Sequence, residues 1–121
     1  MDGTKILLVE DEFLIRLTLA EALTDEGFQV LESGTGAEAV ATLRSHPDVA
    51  LILTDIQLPG GVNGLELVRS ARALRPSLLV IYMTGRPDTI AGEVDSSRDA
   101  VIAKPYLPSE VSATARRMLG A

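Results

Sequence analysis

The chain has 121 residues, of which 46% are apolar, enough for one compact domain with one hydrophobic core. Its formal charge of −6 argues against direct binding of nucleic acid through a basic surface, and the absence of cysteine excludes disulfide bonds and thiolate metal sites. Because no apolar run approaches the roughly 20 residues that span a bilayer and the amino terminus has no secretory signal pattern, we expect one cytoplasmic domain over 1–121, away from any membrane.

In the first half of the chain, short apolar runs alternate with segments of helical periodicity. The predicted strands cover 5–9, 28–32 and 49–53, and the predicted helices between them cover 13–25 and 37–45. The continuous apolar run VALIL over 49–53 is typical of a strand that is buried on both faces, as in a parallel sheet.

The second half of the chain continues the alternation with weaker signals. The predicted strands cover 78–83 and 100–103, and the predicted helices cover 65–74 and a C-terminal segment that begins at Pro108. Between the last two strands, Pro87 and Gly92 interrupt the segment 87–97, so we expect only a short or mobile helix there.

Strands that alternate with helices predict an α/β fold with a parallel sheet covered on both faces and right-handed crossovers. Of the doubly wound arrangements, the flavodoxin-like strand order 2-1-3-4-5 fits the count of five strands. Ligands of such folds bind at the carboxyl ends of strands 1 and 3, where the winding direction reverses. The residues that follow the predicted strands are therefore the candidates for a functional site.

Polar residues follow four of the predicted strands. They are Glu10, Asp11 and Glu12 after the first strand, Asp55 after the third, Thr84 after the fourth and Lys104 after the fifth. Because strands 1 and 3 are neighbours in the predicted order, Glu10, Asp11 and Asp55 should lie close together. Carboxylates that close repel one another unless a proton or a cation intervenes, and Mg²⁺ prefers such oxygen ligands. The sequence therefore predicts a divalent cation site at this edge.

Each of these residues also has an ordinary structural explanation. Acidic residues ahead of a helix are common as caps and as partners of the helix dipole. Asp55 can form a turn before Pro59, Thr84 can begin a loop before Gly85, and a lysine can simply end a strand. These explanations do not account for the joint placement of the residues at four strand ends on one face.

These motifs resemble those of the receiver domains of response regulators in two-component signalling systems, and the resemblance covers essentially the full chain. The matching segments are LVEDE over 8–12, LTDIQLP over 53–59, GLEL over 64–67, TG over 84–85 and AKPY over 103–106. Tyr82, Met83, Thr84 and Gly85 also resemble, more loosely, a receiver subgroup with an aromatic-Ala-Thr-Gly motif at the end of the fourth strand.

The resemblance implies that Asp55 accepts a phosphoryl group from a histidine kinase or a phosphotransfer protein. Asp11 would then bind Mg²⁺, or Mn²⁺ in its place, directly, and Glu10 would act through water. Asp55 itself and the backbone carbonyl of Gln57 would complete the ligands from the protein. The residues that would contact phosphoryl oxygens are Thr84 and Lys104. The chain would catalyse only its own phosphorylation and dephosphorylation and would signal by binding a downstream protein.

One departure from the receiver pattern lies in strand 5. Many receivers carry an aromatic residue three positions before the lysine after strand 5, where this chain has Val101. Tyr82 and Tyr106 are the aromatic residues that could take over its role, although each is expected as a partly buried side chain with its hydroxyl at the surface.

Three other functions are possible on this fold, and the sequence favours none of them; the intact set of Asp11, Asp55, Thr84 and Lys104 argues against the first. A pseudo-receiver would serve as a protein interaction module without taking phosphate. A nucleotide or flavin binder on the same fold requires a loop rich in Gly, Ser or Thr after strand 1, and a phosphatase with an aspartate nucleophile requires an Asp-x-Asp pattern there. The acidic run 10–12 is the opposite of the first pattern and does not supply the second.

Overall fold

Strands and helices alternate along residues 3–120, the part of the chain that the computed structural model describes. The elements are β1 (Lys5–Val9), α1 (Phe13–Asp25), β2 (Gln29–Ser33), α2 (Gly36–Ser45), β3 (Val49–Asp55), α3 (Gly64–Leu74), β4 (Leu79–Thr84), a 3₁₀ helix (Pro87–Glu93), β5 (Asp99–Ala103) and α4 (Pro108–Leu119). None of the helices in this described part is long and apolar enough to cross a membrane.

The sheet has the predicted order, β2-β1-β3-β4-β5, and every neighbouring pair is parallel. Alternate residues of each strand enter separate cores on the two faces of the sheet. Leu7 and Val9 pack in the first core against α2, α3 and the 3₁₀ helix, whereas Ile6 and Leu8 pack in the second against α1 and α4. Burial on both faces explains the continuous apolar runs of the strands, and the predicted doubly wound fold is confirmed.

The ends of several strands differ from their predicted positions by one or two residues. The third strand was predicted to end at Leu53, but β3 continues through Asp55, which pairs with Met83 of β4. The second strand is displaced by one residue, to Gln29–Ser33. Apolar composition alone ended the third strand too early, because the ladder to β4 continues beyond the last apolar side chain.

The segment after β4 forms the predicted short helix, of 3₁₀ type, over Pro87–Glu93. Pro87 stands at its first turn, and Ile90 is its one buried residue. An ion pair of 3.7 Å joins the exposed side chains of Glu93 and Arg69 on α3. The helix is therefore held to the sheet mainly by one apolar side chain.

Helix α3 begins against the backbone of the strand that carries Asp55. Asn63 caps the helix by accepting the N–H of Glu66, whose carboxylate accepts the N–H of Asn63 in return. The N–H of Gly64 donates to the carbonyl of Ile56 at 2.7 Å. A Cβ on Gly64 would overlap the carbonyl oxygen of Asp55, so only glycine permits this close approach.

Candidate functional site at the carboxyl ends of the strands

Three carboxylates lie together where β1 and β3 end. Ligand oxygens of Glu10, Asp11 and Asp55 all lie within 4.8 Å of one another. Asp55 is 7% exposed and Glu10 is 2% exposed, whereas Asp11 is exposed to solvent. The structure thus brings together the three acidic residues that the sequence placed at a cation site.

Lys104 follows β5 and reaches across β4 to this acidic cluster. Its Nζ donates to Oδ2 of Asp55 at 2.7 Å, and its backbone N–H donates to the carbonyl of Thr84 at 2.8 Å. The peptide bond from Lys104 to Pro105 is cis. One ammonium group therefore faces three carboxylates, and the cluster keeps an excess of negative charge.

Glu10 has one carboxylate oxygen with a partner and one without. Oε2 accepts the backbone N–H of Glu12 at 3.0 Å, whereas Oε1 is buried and has no hydrogen-bond partner among the described residues. Burial raises the pKa of Glu10 above its usual value, and the neighbouring charge of Asp55 adds to the increase. A buried oxygen of this kind, beside two other carboxylates, suits a cation or a water bound to one. The residues present therefore fit Mg²⁺.

A cavity of about 320 Å³ opens beside the Asp55 carboxylate. Thr84 and Lys104 line it together with Gln57 and Arg86. The Oγ1 atom of Thr84 accepts the backbone N–H of Arg86 at 3.0 Å, which leaves the hydroxyl proton of Thr84 as a donor. The cavity therefore places a hydroxyl and an ammonium group next to the same carboxylate.

An apolar surface adjoins the site, and the sequence prediction missed it. Its residues are Phe13, Leu14 and Leu17 of α1 and Leu107 before α4, which are 62%, 71%, 40% and 64% exposed. We call it the α1 apolar surface. A groove of about 470 Å³ lies between α1 and 104–108 and is lined by Leu14 of this surface, and Lys104 lines both this groove and the cavity at Asp55. The signal in the sequence was that α1 is apolar at more positions than one buried face requires.

The two tyrosines lie in different surroundings. Tyr82 is only 2% exposed and packs in the first core with Ile90 and the half-buried Val101, so the expectation that Tyr82 is partly buried was wrong. Tyr106 is half-buried, and burial together with the charges of Glu10 and Asp55 raises its pKa to about 12. The charges of the acidic cluster therefore contribute to the raised pKa of Tyr106, whereas Tyr82 belongs to the core under the 3₁₀ helix.

Comparisons with known proteins agree on one family. The sequence model described as "Response regulator receiver domain" matches residues 6–116. The aerobic respiration control protein ArcA of Escherichia coli is 38% identical over 122 residues, which cover 98% of this chain and 50% of ArcA. Sporulation initiation phosphotransferase F of Bacillus subtilis is 32% identical over 125 residues, which cover 89% of this chain and 97% of that protein. The chain thus spans half of the first relative and nearly all of the second.

Solved structures show the same architecture. A response regulator receiver protein from Sinorhizobium medicae superposes with a TM-score of 0.89 at 26% identity, covering 98% of this chain and 96% of that one. A CheY-like receiver domain protein from Methanospirillum hungatei superposes with a TM-score of 0.85 at 28% identity, covering 98% and 95% of the two chains.

Proposed function

Because the chain belongs to the response regulator receiver domain family, we propose that Asp55 accepts a phosphoryl group in a Mg²⁺-dependent reaction. The observation that carries the proposal is the pairing of Asp55 with Lys104 at 2.7 Å, next to two carboxylates and a cavity large enough for a phosphoryl group. Receiver domains are signalling modules, and this chain acts as one by changing its surface when Asp55 is modified.

The proposed reaction is an in-line displacement at phosphorus. A carboxylate oxygen of Asp55 forms the new O–P bond while the bond from phosphorus to the donor breaks, and the donor nitrogen or oxygen leaves with the electron pair. Lys104 fixes the rotation of the carboxylate by holding Oδ2. The ammonium of Lys104 and the hydroxyl of Thr84 then offset charge on the equatorial oxygens.

The acidic cluster would hold the cation that this reaction requires. Asp11 and Asp55 would bind Mg²⁺, or Mn²⁺ in its place, directly, Glu10 would act through water, and the backbone carbonyl of Gln57 would supply a further ligand. When bound, the cation neutralises charge on the phosphoryl oxygens and on the crowded carboxylates. The unpartnered Oε1 of Glu10 supports this assignment, because a bound water would satisfy it.

A protein donor, either a histidine kinase or a phosphotransfer protein, accounts for the α1 apolar surface. Asp55 is only 7% exposed, so a donor side chain must enter between the loops that surround it. Leu14 of the α1 apolar surface lies on one side of that entrance, because the groove that it lines shares Lys104 with the cavity. Exposed apolar side chains next to a reactive group favour a protein partner over a small molecule alone.

Intact mass after incubation with a small phosphodonor tests the acceptor and the metal together. We expect a gain of one phosphoryl group with Mg²⁺, no gain without it, and no gain in Asp55→Ala. If the wild-type protein gains no mass under any of these conditions, the chain is instead an interaction module that does not take phosphate.

A matched pair of variants tests the protein donor. Leu14→Glu places a charge on the α1 apolar surface, whereas Leu74→Glu places one on an exposed leucine of α3 that is 45% exposed. We expect Leu14→Glu to slow transfer from a phosphorylated histidine kinase or phosphotransfer protein about tenfold, at an unchanged rate from a small phosphodonor. Equal rates for both variants with the protein donor would place the contact elsewhere.

We place the output surface around the 3₁₀ helix, because Ile90 is its one buried residue. Phosphate on Asp55 should shift the loops after β3 and β4 and the face formed by the 3₁₀ helix, β5 and α4. A downstream protein target would bind this altered face. Amide exchange compared before and after phosphorylation is the test, and unchanged protection over 56–63 and 85–119 would argue against this output surface.

A further inference from the structure

Arg16 connects α1 to the ends of two strands beside the acidic cluster. Its Nη1 atom donates to the backbone carbonyl of Glu10 at 2.8 Å, and its Nε donates to Oε1 of Glu32 on β2 at 3.2 Å. The guanidinium also lies 5.7 Å from the centre of the Phe13 ring. The side chain of Arg16 is 20% exposed and that of Glu32 is 41% exposed, so the bond to Glu10 is partly buried and the bond to Glu32 lies at the surface.

The hydrogen bond from Arg16 is one of three that hold Glu10 in place. The N–H of Glu10 donates to the carbonyl of Ser33 at 3.0 Å, and Oε2 of Glu10 accepts the N–H of Glu12 at 3.0 Å. With Arg16 on its carbonyl, every hydrogen-bonding group of Glu10 has a partner among the described residues except Oε1. That atom is the one left for a cation or its water.

We infer that Arg16 is a positioning residue for the proposed Mg²⁺ site: it holds the backbone of Glu10 so that Glu10 and Asp11 keep the geometry that the cation needs. Mg²⁺ demands nearly ideal octahedral geometry, so a loosened ligand loop lowers its affinity more than that of a less demanding ion. Residues that orient metal ligands from outside typically change metal affinity by 10- to 100-fold when they are replaced. The inference rests on the proposed function.

A pure charge effect predicts the opposite sign. A guanidinium near the acidic cluster repels Mg²⁺, so removing its charge would tighten binding if repulsion dominated. The ion pair with Glu32 at 3.2 Å offsets that repulsion. We therefore expect the two hydrogen bonds that the guanidinium donates to affect Mg²⁺ affinity more than its charge does, and lysine cannot make both in the same planar geometry.

Four variants separate positioning from charge and from general stability. Arg16→Lys keeps the positive charge but loses the paired donors of the guanidinium, and Arg16→Gln loses both. Glu32→Gln loses the ion pair with Arg16 but keeps the bond from Arg16 to Glu10. Arg116→Gln is the matched control, because Arg116 makes an ion pair with Glu26 at 2.9 Å, away from the site. The measurement is the Mg²⁺ dissociation constant by calorimetric titration, with thermal unfolding of the metal-free proteins to show that each is folded.

We expect Arg16→Lys and Arg16→Gln to raise the dissociation constant about tenfold, Glu32→Gln to raise it less, and Arg116→Gln to leave it unchanged. In the metal-free protein, the amide of Glu12, which bonds to Glu10, should exchange faster in Arg16→Gln than in the wild type. Wild-type affinity in Arg16→Lys, or tighter binding in Arg16→Gln, overturns the inference alone. A wild-type protein that binds no Mg²⁺ overturns the proposed function and the inference with it.

Discussion

The two ends of the sheet each hold a buried aspartate paired with a cationic side chain, and they differ in whether the charges are balanced. At the amino end of β5, Oδ1 of Asp99 pairs with Arg72 at 2.5 Å, and Oδ2 accepts the N–H of Asp95 at 2.8 Å. At the carboxyl ends of the strands, Asp55 pairs with Lys104, but the neighbouring Glu10 keeps an unpartnered oxygen. Both oxygens are satisfied at one end, and negative charge is in excess at the other.

This difference distinguishes a structural ion pair from the proposed reactive site. Asp99 has a side chain with no exposure and a partner for each oxygen, so it connects α3, β5 and the loop before β5 without needing a ligand. The acidic cluster around Asp55 costs stability in the absence of a cation, because its carboxylates repel. Charge that is buried and left unbalanced is the feature that indicates a functional site.

The largest expected effect on the free energy of unfolding is at the amino end of β5, where both carboxylate oxygens of Asp99 have partners. Asp99→Ala leaves Arg72 with no carboxylate in a position where its side chain is 15% exposed, so the free energy of unfolding should fall by about 3 kcal/mol. Urea denaturation measures it. The double variant Arg72→Met/Asp99→Ala is the control and should recover part of the loss. If Asp99→Ala costs no more than Asp55→Ala, the two ends do not differ as described.

The second-largest expected effect is the stabilisation of the protein when Mg²⁺ binds the acidic cluster at the carboxyl ends of the strands. Free Mg²⁺ at 100 times its dissociation constant should raise the free energy of unfolding of the wild-type protein by about 2.7 kcal/mol. Asp11→Asn should lose most of this increment, whereas Arg72→Met should keep it although it starts from a lower stability. Denaturation with and without Mg²⁺ gives both values, and an equal increment in Asp11→Asn would place the cation elsewhere.

A smaller effect is expected when Asp55 itself is neutralised. Asp55→Asn should leave the stability of the metal-free protein within about 1 kcal/mol of wild type, because Lys104 is 36% exposed and regains water while the repulsion among the carboxylates falls. The same variant should take no phosphoryl group. A loss of stability as large as that of Asp99→Ala would show that the pair with Lys104 is structural.

The smallest effect is a pair of opposite pH dependences. Because the pKa of Glu10 is raised above 4.5, its contribution to stability is present below that pH and is lost as the pH rises through the raised value. Hydrogen bonds from Ser97 and the charge of Arg98 lower the pKa of Asp95 to about 2, so its contribution is present above pH 3.8 and is lost as the pH falls toward 2.

Denaturation of the metal-free protein at a series of pH values that spans both pKa values checks the direction in which each group changes the stability. Glu10→Gln should remove the loss of stability with rising pH, and Asp95→Asn should remove the loss with falling pH. Unchanged profiles in these variants would assign the slopes to other groups.

The fold was largely predictable because its signals are local. Apolar runs, helical spacing and glycine or proline at the ends identify the strands and helices, and the parallel alternation leaves few topologies. The end of β3 was missed because Thr54 and Asp55 are polar by themselves and become strand residues only through pairing with β4. The excess of apolar residues in α1 was a signal of an exposed apolar surface, but the packing of α1 on the sheet decides which of them stay exposed.

For the candidate site, the sequence by itself determined which groups stand at the strand ends, because the carboxyl ends of parallel strands meet at one edge whatever their side chains. Tertiary structure alone decided which of these groups are satisfied. The pairing of Asp55 with Lys104, 49 residues apart, and of Arg72 with Asp99, 27 residues apart, depends on packing between distant segments. The same packing leaves Oε1 of Glu10 without a partner among the described residues, since hydrogen bonds require contact within a few ångströms that no sequence spacing specifies.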